Sequence, residues 1–306
     1  MKRFLKIFFK LIVYLLAVIG VLAVCLLIAV NKLGYSLELN IADEQYEEYV
    51  DLLRNSGPYK ADAANLDMKI TIDQLRAAQI KEYFQLDTLY SADADTWSRA
   101  LAIGEFVTTN IPHANQKEYP KRVDAIGLWE YTKSVEPAFN CRLHSIMTFE
   151  LLSSVGIKAR YITCLPKDER DMDCHVVNEV WLPEMNKWVM LDTDMGGHYV
   201  TDDAGCLLSL REMREHYIAE KEMIFYPGFR NGSSKKTYYY KYMAKNTYWF
   251  ALWNNLGFYQ EDYENHPDLA SRDKYYGLVP SGFNPFTKKH NKRTSIATND
   301  VEQFWK

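Results

Sequence analysis

From Leu11 to Val30 the chain runs through twenty residues without a charge, LIVYLLAVIGVLAVCLLIAV. As a helix, such a run rises about 30 Å and satisfies its own backbone polar groups, which is what the hydrocarbon core of a bilayer demands. Lys2, Arg3, Lys6 and Lys10 precede the run, and only Lys32 follows closely. The positive-inside rule then puts Met1 in the cytoplasm and the chain beyond Lys32 outside, as a single-pass protein of the cell membrane. A cleaved signal peptide is the rival reading. The apolar core is too long for one, and no small-x-small site follows before Tyr35. A lipid attachment at Cys25 fits less well, because Val24 is bulky and apolar chain continues beyond it.

The 306 residues carry 36 Lys+Arg against 40 Asp+Glu, a net charge of -4. Without the four bases before the anchor, 32 bases face 40 acids, a net -8. Such an outer part is not held to nucleic acid by charge, and no nucleic-acid partner is expected. Hydrophobic residues at 48% and charged residues at 25% describe a globular chain and exclude a disordered one. No repeat or low-complexity stretch interrupts it. We expect a cytoplasmic stub and membrane helix over 1–31, a helical extension over 32–94, a catalytic core over 95–225 and an aromatic-rich extension over 226–306.

Helical patterns cover Leu37 to Asn55, Ile72 to Phe84, Asp95 to Asn110 and Asp124 to Lys133. Pro112, His113, Asn115 and Pro120 mark a loop between the last two. Cys141 to Ser154 reads as a helix with an apolar stripe of Ile146, Met147, Leu151 and Leu152, stopped by Gly156. Three strand patterns follow, at Lys158 to Leu165, His175 to Leu182 and Lys187 to Asp192, the last pair joined by a Pro183–Asn186 turn. A helix followed by an antiparallel meander points to the α+β class.

That stretch also carries a chemical constellation. Cys141 starts a helix, where free N–H groups and the helix dipole favour a thiolate. Pairing Leu182 with Lys187 across the turn sets Val177 opposite Asp192 and His175 opposite Asp194. Because side chains alternate, His175, Asp192 and Asp194 share one face. Either acid can orient the imidazole on that geometry. A lone cysteine in apolar surroundings is more often a packed small hydrophobe. Arg142 and His144 adjoin Cys141 and are as well explained by a surface or capping role. Arg160 suits an acid at the sheet edge.

The runs NCRLHSIMTFELLSSVGIKARYI and CHVVNEVWLPEMNKWVMLD together resemble the core of the transglutaminase-like superfamily. The matching residues are Gly156, Ile157, Ala159, Arg160 and Tyr161, then His175, Glu179 and Trp181, then Trp188, Leu191 and Asp192. The resemblance implies a papain-like α+β core, with the cysteine helix packed on an antiparallel sheet. It also implies Cys141 as nucleophile, His175 as general base and acid, and Asp192 as the orienting carboxylate. The chain departs from the family at Phe139, where a glycine is common, and at Thr193, where proline is usual. The aromatic oxyanion donor of animal members has no clear counterpart. The backbone N–H of Cys141 is one candidate donor. Trp129, Asn140 and Gln116 are candidates for a second.

The expected function is a membrane-anchored, extracytoplasmic thiol enzyme that acts on amide bonds of proteins or peptides, cell-wall peptides included. Hydrolysis, as in a cysteine peptidase, is favoured over cross-linking. No metal or cofactor is expected, and no EF-hand-like loop argues for calcium. The alternative is a catalytically silent domain that binds a glycan or a protein. The aromatic cluster of Tyr238, Tyr239, Tyr240, Tyr242, Tyr248, Trp249, Phe250 and Trp253 would serve such binding, although core packing explains it better. Cys164 and Cys174 bracket a loop that a disulfide could close. Two weaker readings also use this pair: a zinc site with Asp171 and His175, and a redox couple. The spacing fits no common zinc finger, and there is no C-x-x-C motif.

Overall fold

The computed structural model describes residues 2–32, 43–60, 66–70, 72–168, 170–171, 173–226, 236–257, 274–286 and 295–306. Its first compact unit, Met1–Ile41, contains helix α1 (Lys2–Lys32). Within α1 the window Lys6–Cys25 is long and apolar enough to cross a membrane, and none of it is buried by protein. Phe9 is 69% exposed and Leu22 63%, so this apolar surface is not covered by the described residues. The helix continues through the flanking bases, beyond the apolar run on both sides.

The second unit, Ala42–Lys306, is described by itself. Its helical part begins with α2 (Asp43–Arg54), whose Val50 and Leu53 are buried. The expected start of this helix, residues 37–42, lies outside the described residues. A short strand β1 (Lys69–Ile70) leads to α3 (Gln74–Phe84), a 3₁₀ turn (Leu86–Thr88), α4 (Thr96–Asn110), α5 (Ala125–Ser134) and α6 (Cys141–Ser154). Asp73, Asp95, Asp124 and Asn140 cap α3, α4, α5 and α6, each side chain accepting a first-turn N–H. These starts lie within two residues of the sequence expectation, because a capping side chain is a local signal.

Helix α6 is buried without interruption from Leu143 to Leu152. Helices α3, α4 and α5 pack on one side of it, and strands β2 (Ala159–Leu165) and β3 (His175–Leu182) on the other. An apolar stripe therefore understates its burial. Ser145, Thr148 and Glu150 in the run each have a hydrogen-bond partner, whereas neither ring nitrogen of His144 does among the described residues. The Ser145 hydroxyl donates to the Val176 carbonyl at 2.8 Å, and Glu150 accepts from the Ala125 N–H.

After β3 come β4 (Lys187–Leu191), β5 (Tyr199–Thr201), α7 (Leu210–Ala219), β6 (Ile224–Tyr226), α8 (Lys236–Asn246), β7 (Trp249–Trp253), β8 (Asn255–Leu256), β9 (Tyr275–Leu278), β10 (Ser295–Thr298) and α9 (Val301–Phe304). The main sheet has the order β10-β9-β7-β2-β3-β4. β7, β2, β3, β4 and β9 pair antiparallel, whereas β10 joins β9 in parallel, so the sheet is not purely antiparallel. The meander has the expected register, with Leu182 opposite Lys187. Strands from beyond residue 226 complete the sheet of the meander, and residues 42–306 form one unit.

Nearly every residue of β2 and β3 is buried, so the sheet is covered on both faces. Arg160, expected at a sheet edge, lies fully buried instead. Its Nε and Nη2 donate to Glu179 Oε2 at 3.1 and 2.7 Å, and Nη1 donates to the Phe304 carbonyl at 3.0 Å. Glu179 Oε1 also accepts from the Leu210 N–H at the start of α7 and from Trp305 Nε1. This ion pair, with Arg160 lying 4.0 Å from the ring centre of Trp188, joins the C-terminal residues to the meander.

Candidate active site

Cys141 begins α6, partly exposed, behind the Asn140 cap whose Oδ1 accepts from the Leu143 N–H at 3.1 Å. The approach to the helix is held by the Pro112 loop. Phe139 N–H donates to the Pro112 carbonyl at 3.0 Å, and Ala114 N–H to the Phe139 carbonyl at 2.8 Å. Gln116 Nε2 donates to the carbonyls of Ala114 and Ala138, both at 2.9 Å, and its Oε1 accepts from the Asn140 N–H at 3.3 Å. Gln116 therefore uses its amide to fix the nucleophile's loop. Trp129 is stacked on Phe106 at 5.6 Å with Lys133 over its ring. Of the three side chains considered as second oxyanion donors, Gln116 already spends its amide nitrogen on the carbonyls of Ala114 and Ala138.

His175 opens β3 and is buried. Its Nε2–H donates to Asp192 Oδ2 at 2.6 Å, which leaves Nδ1 for the Cys141 thiol, a further partner of the ring. Asp192 accepts two more bonds, from the Tyr239 hydroxyl of α8 at 2.7 Å and from the Asp194 backbone N–H at 2.8 Å. β4 ends at Leu191, and the chain turns back so that Asp192 and His198 exchange backbone hydrogen bonds of 2.9 and 2.7 Å. The reversal uses left-handed backbone at Met195, Gly196 and Gly197 (φ 51°, 99° and 80°), a conformation that glycine adopts without penalty. Asp194, the other acid on the His175 face, bonds elsewhere: His113 Nδ1 lies 2.8 and 3.0 Å from its two oxygens.

The electrostatics follow from these contacts. Burial opposes charge on His175, but the Asp192 carboxylate and the Cys141 thiol outweigh it and raise the imidazole pKa well above its ordinary value. Burial likewise opposes charge on Asp192, yet His175, His198 and the Tyr239 hydroxyl hold its carboxyl below the usual range. Burial beside Asp192 pushes the Tyr239 phenol well upward, so it stays a donor. The hydrogen bond to Asp194 raises His113.

Residues 85–193 match the family model described as the transglutaminase-like superfamily, a span that includes α4, α5, α6 and the whole meander. This is a transglutaminase-like core. A solved structure of a candidate cysteine protease from Cytophaga hutchinsonii is also similar, at 15% identity and a TM-score of 0.33, over 56% of this chain and 56% of that one. Among curated proteins none matches.

Within the transglutaminase-like core, Cys141, His175 and Asp192 converge. Cys141, His175 and Asp194 also each offer a ligand atom, all within 4.8 Å of one another, so among the described residues these three could hold a metal ion. The zinc set considered from sequence, with Cys164, Cys174 and Asp171, is not among such groups in the described residues. Cys164 and Cys174 are free thiols. His144 is buried with Nε2 3.5 Å from Asp194 Oδ1, beyond a normal hydrogen bond, and burial lowers its pKa. Of the aromatic cluster, Tyr239, Tyr242, Tyr248, Trp249 and Phe250 are buried, which is core packing and not a glycan platform. The side chain of Tyr238 lies outside the described residues. Sequence reasoning gave no place in the candidate active site to Tyr239, His198 or His113. No signal singled out Tyr239 within the run Tyr238–Tyr240, and the other two meet the site only through the fold.

Proposed function

We propose that this protein is a membrane-anchored thiol enzyme that cleaves amide bonds of peptides or proteins, with Cys141 as nucleophile, His175 as proton shuttle and Asp192 as its orienting carboxylate. The observation that carries the reading is the buried His175–Asp192 bond, which fixes the tautomer and leaves one ring nitrogen for Cys141. The Cys141 sulfur attacks the amide carbonyl carbon while His175 Nδ1 takes the thiol proton. His175 returns that proton to the amide nitrogen as the C–N bond breaks and the amine leaves. Water then attacks the thioester, again giving a proton to His175, and the carboxylic product departs as the thiol is restored. The Cys141 backbone N–H, in the first turn of α6 and without a helical acceptor, supplies one oxyanion donor. Water as acyl acceptor makes the enzyme a peptidase or amidase, and a primary amine would make it a cross-linker. The anchor would keep this chemistry at the outer membrane surface, on proteins or cell-wall peptides.

The test uses the full-length protein in detergent. Iodoacetamide labelling of Cys141 at neutral pH, followed by mass spectrometry, should be faster than labelling of the exposed Cys206, and His175→Ala should slow it at least tenfold. A peptide pool should then yield new amino termini faster than it incorporates an added primary amine. Labelling at Cys141 that matches Cys206 and ignores His175→Ala would sink the reading.

A further inference from the structure

Arg142 follows the nucleophile in the first turn of α6, the helix end where the dipole disfavours a cation. It is partly buried, and the groups that act on it electrostatically include the phenols of Tyr275, Tyr161 and Tyr119 and the thiols of Cys141 and Cys174. Its Nη2 lies 3.5 Å from Thr163 Oγ1, and the Tyr275 hydroxyl bonds with both Arg142 and Thr163. Among the described residues no carboxylate pairs with it. The fully buried guanidinium of Arg160, by contrast, has Glu179 at 2.7 Å. A partly buried cation among neutral hydroxyls has lost water without gaining a counter-ion from the described residues, and its planar fork fits a carboxylate in two parallel bonds. Tyr119, 53% exposed, leaves the place open to solvent.

We propose that Arg142 is a specificity residue that binds a carboxylate on the substrate, within one residue of the scissile amide. The inference rests on Cys141 as the attacking atom. A scissile carbon held about 3–3.5 Å from that sulfur brings only its immediate neighbours within reach of the adjoining side chain. The preferred substrate is then a peptide whose residue flanking the cleaved bond carries a free carboxylate. That group is either an acidic side chain or a chain-terminal carboxylate.

Two alkylating probes test the subsite without any turnover. Iodoacetate carries a carboxylate where iodoacetamide carries a neutral amide, and both attack the same sulfur, so the ratio of their rates at Cys141 is independent of how much thiolate is present. In the full-length protein in detergent, Arg142→Gln should lower the iodoacetate-to-iodoacetamide ratio about tenfold, the worth of one charge-assisted hydrogen bond. Arg142→Lys should keep the ratio within about threefold of wild type. An unchanged ratio in Arg142→Gln overturns the proposal. Peptide pairs then separate the sources: Glu against Gln beside the cleaved bond, and a free terminus against a terminal amide. A wild-type preference of about tenfold in kcat/KM for the acid of one pair, abolished in Arg142→Gln, identifies the source. Equal cleavage of acid and amide in both pairs refutes the carboxylate subsite and leaves the enzyme reading standing. Failure to cleave any peptide counts against the enzyme reading, and the alkylation ratio still decides Arg142.

Discussion

Replacing Tyr239 by Phe removes a single oxygen from a fully buried place beside Asp192. The lost bond is 2.7 Å long, and its acceptor is a carboxylate that is also bonded by His175 at 2.6 Å. A hydrogen bond to an ionised group is worth about 1.5–3 kcal/mol, against about 1 kcal/mol for a neutral pair. Tyr239→Phe should therefore destabilise the fold by about 2 kcal/mol, or about 4–8 °C in Tm for a unit of this size. In an Asp192→Asn background the same change should cost only about 1 kcal/mol, which leaves a coupling energy of about 1 kcal/mol in a double-mutant cycle. The Tyr239 bond also helps to hold the Asp192 carboxyl low. The stability that Asp192 contributes is present above its unfolded pKa and lost as pH falls through the folded value. Raising that folded value moves acid unfolding of Tyr239→Phe to higher pH. Urea midpoints of the four proteins, at neutral pH and along an acid series, measure all of this. A single-variant cost below about 0.5 kcal/mol, or no coupling to Asp192, would refute the idea that α8 holds the Asp192 carboxylate.

Three further outcomes are expected. Arg160→Met leaves Glu179 buried without its cation and should cost about 3–5 kcal/mol by urea midpoint, while adding Glu179→Leu should recover at least half; a cost under about 1 kcal/mol contradicts the central ion pair. His175 has a folded pKa above its unfolded value of about 6.5, so its charge stabilises the fold fully below that pH and less as pH rises through the folded value. The cost of His175→Gln should accordingly be larger at about pH 6 than at alkaline pH, and the reverse order in urea titrations would defeat the assignment. The full-length protein should stay with membranes through a high-salt wash, and removal of residues 1–32 should release it; release of the intact chain by salt alone would rule out a spanning anchor.

Much of this protein is written locally. The membrane-length helix follows from composition, since twenty uncharged residues need no partner to be recognised. The starts of α3 to α6 follow from Asp73, Asp95, Asp124 and Asn140, whose side chains act on N–H groups three residues away or fewer. The meander register follows from the Pro183–Asn186 turn and the alternation it imposes, which is why Cys141, His175 and the two acids could be named as a group. Turn and period could not choose between Asp192 and Asp194, since both lie on the His175 face. Resemblance to a family pointed to Asp192, but the physical choice belongs to the fold. Left-handed turns at Met195–Gly197 return His198 to Asp192, α8 brings the Tyr239 hydroxyl, and His113 occupies Asp194. The same holds for Arg142 with Thr163 and Tyr275 and for Arg160 with Glu179, Leu210 and the C-terminal residues. Their partners come from segments distant in sequence, and a buried charge has no meaning until the elements that surround it have packed.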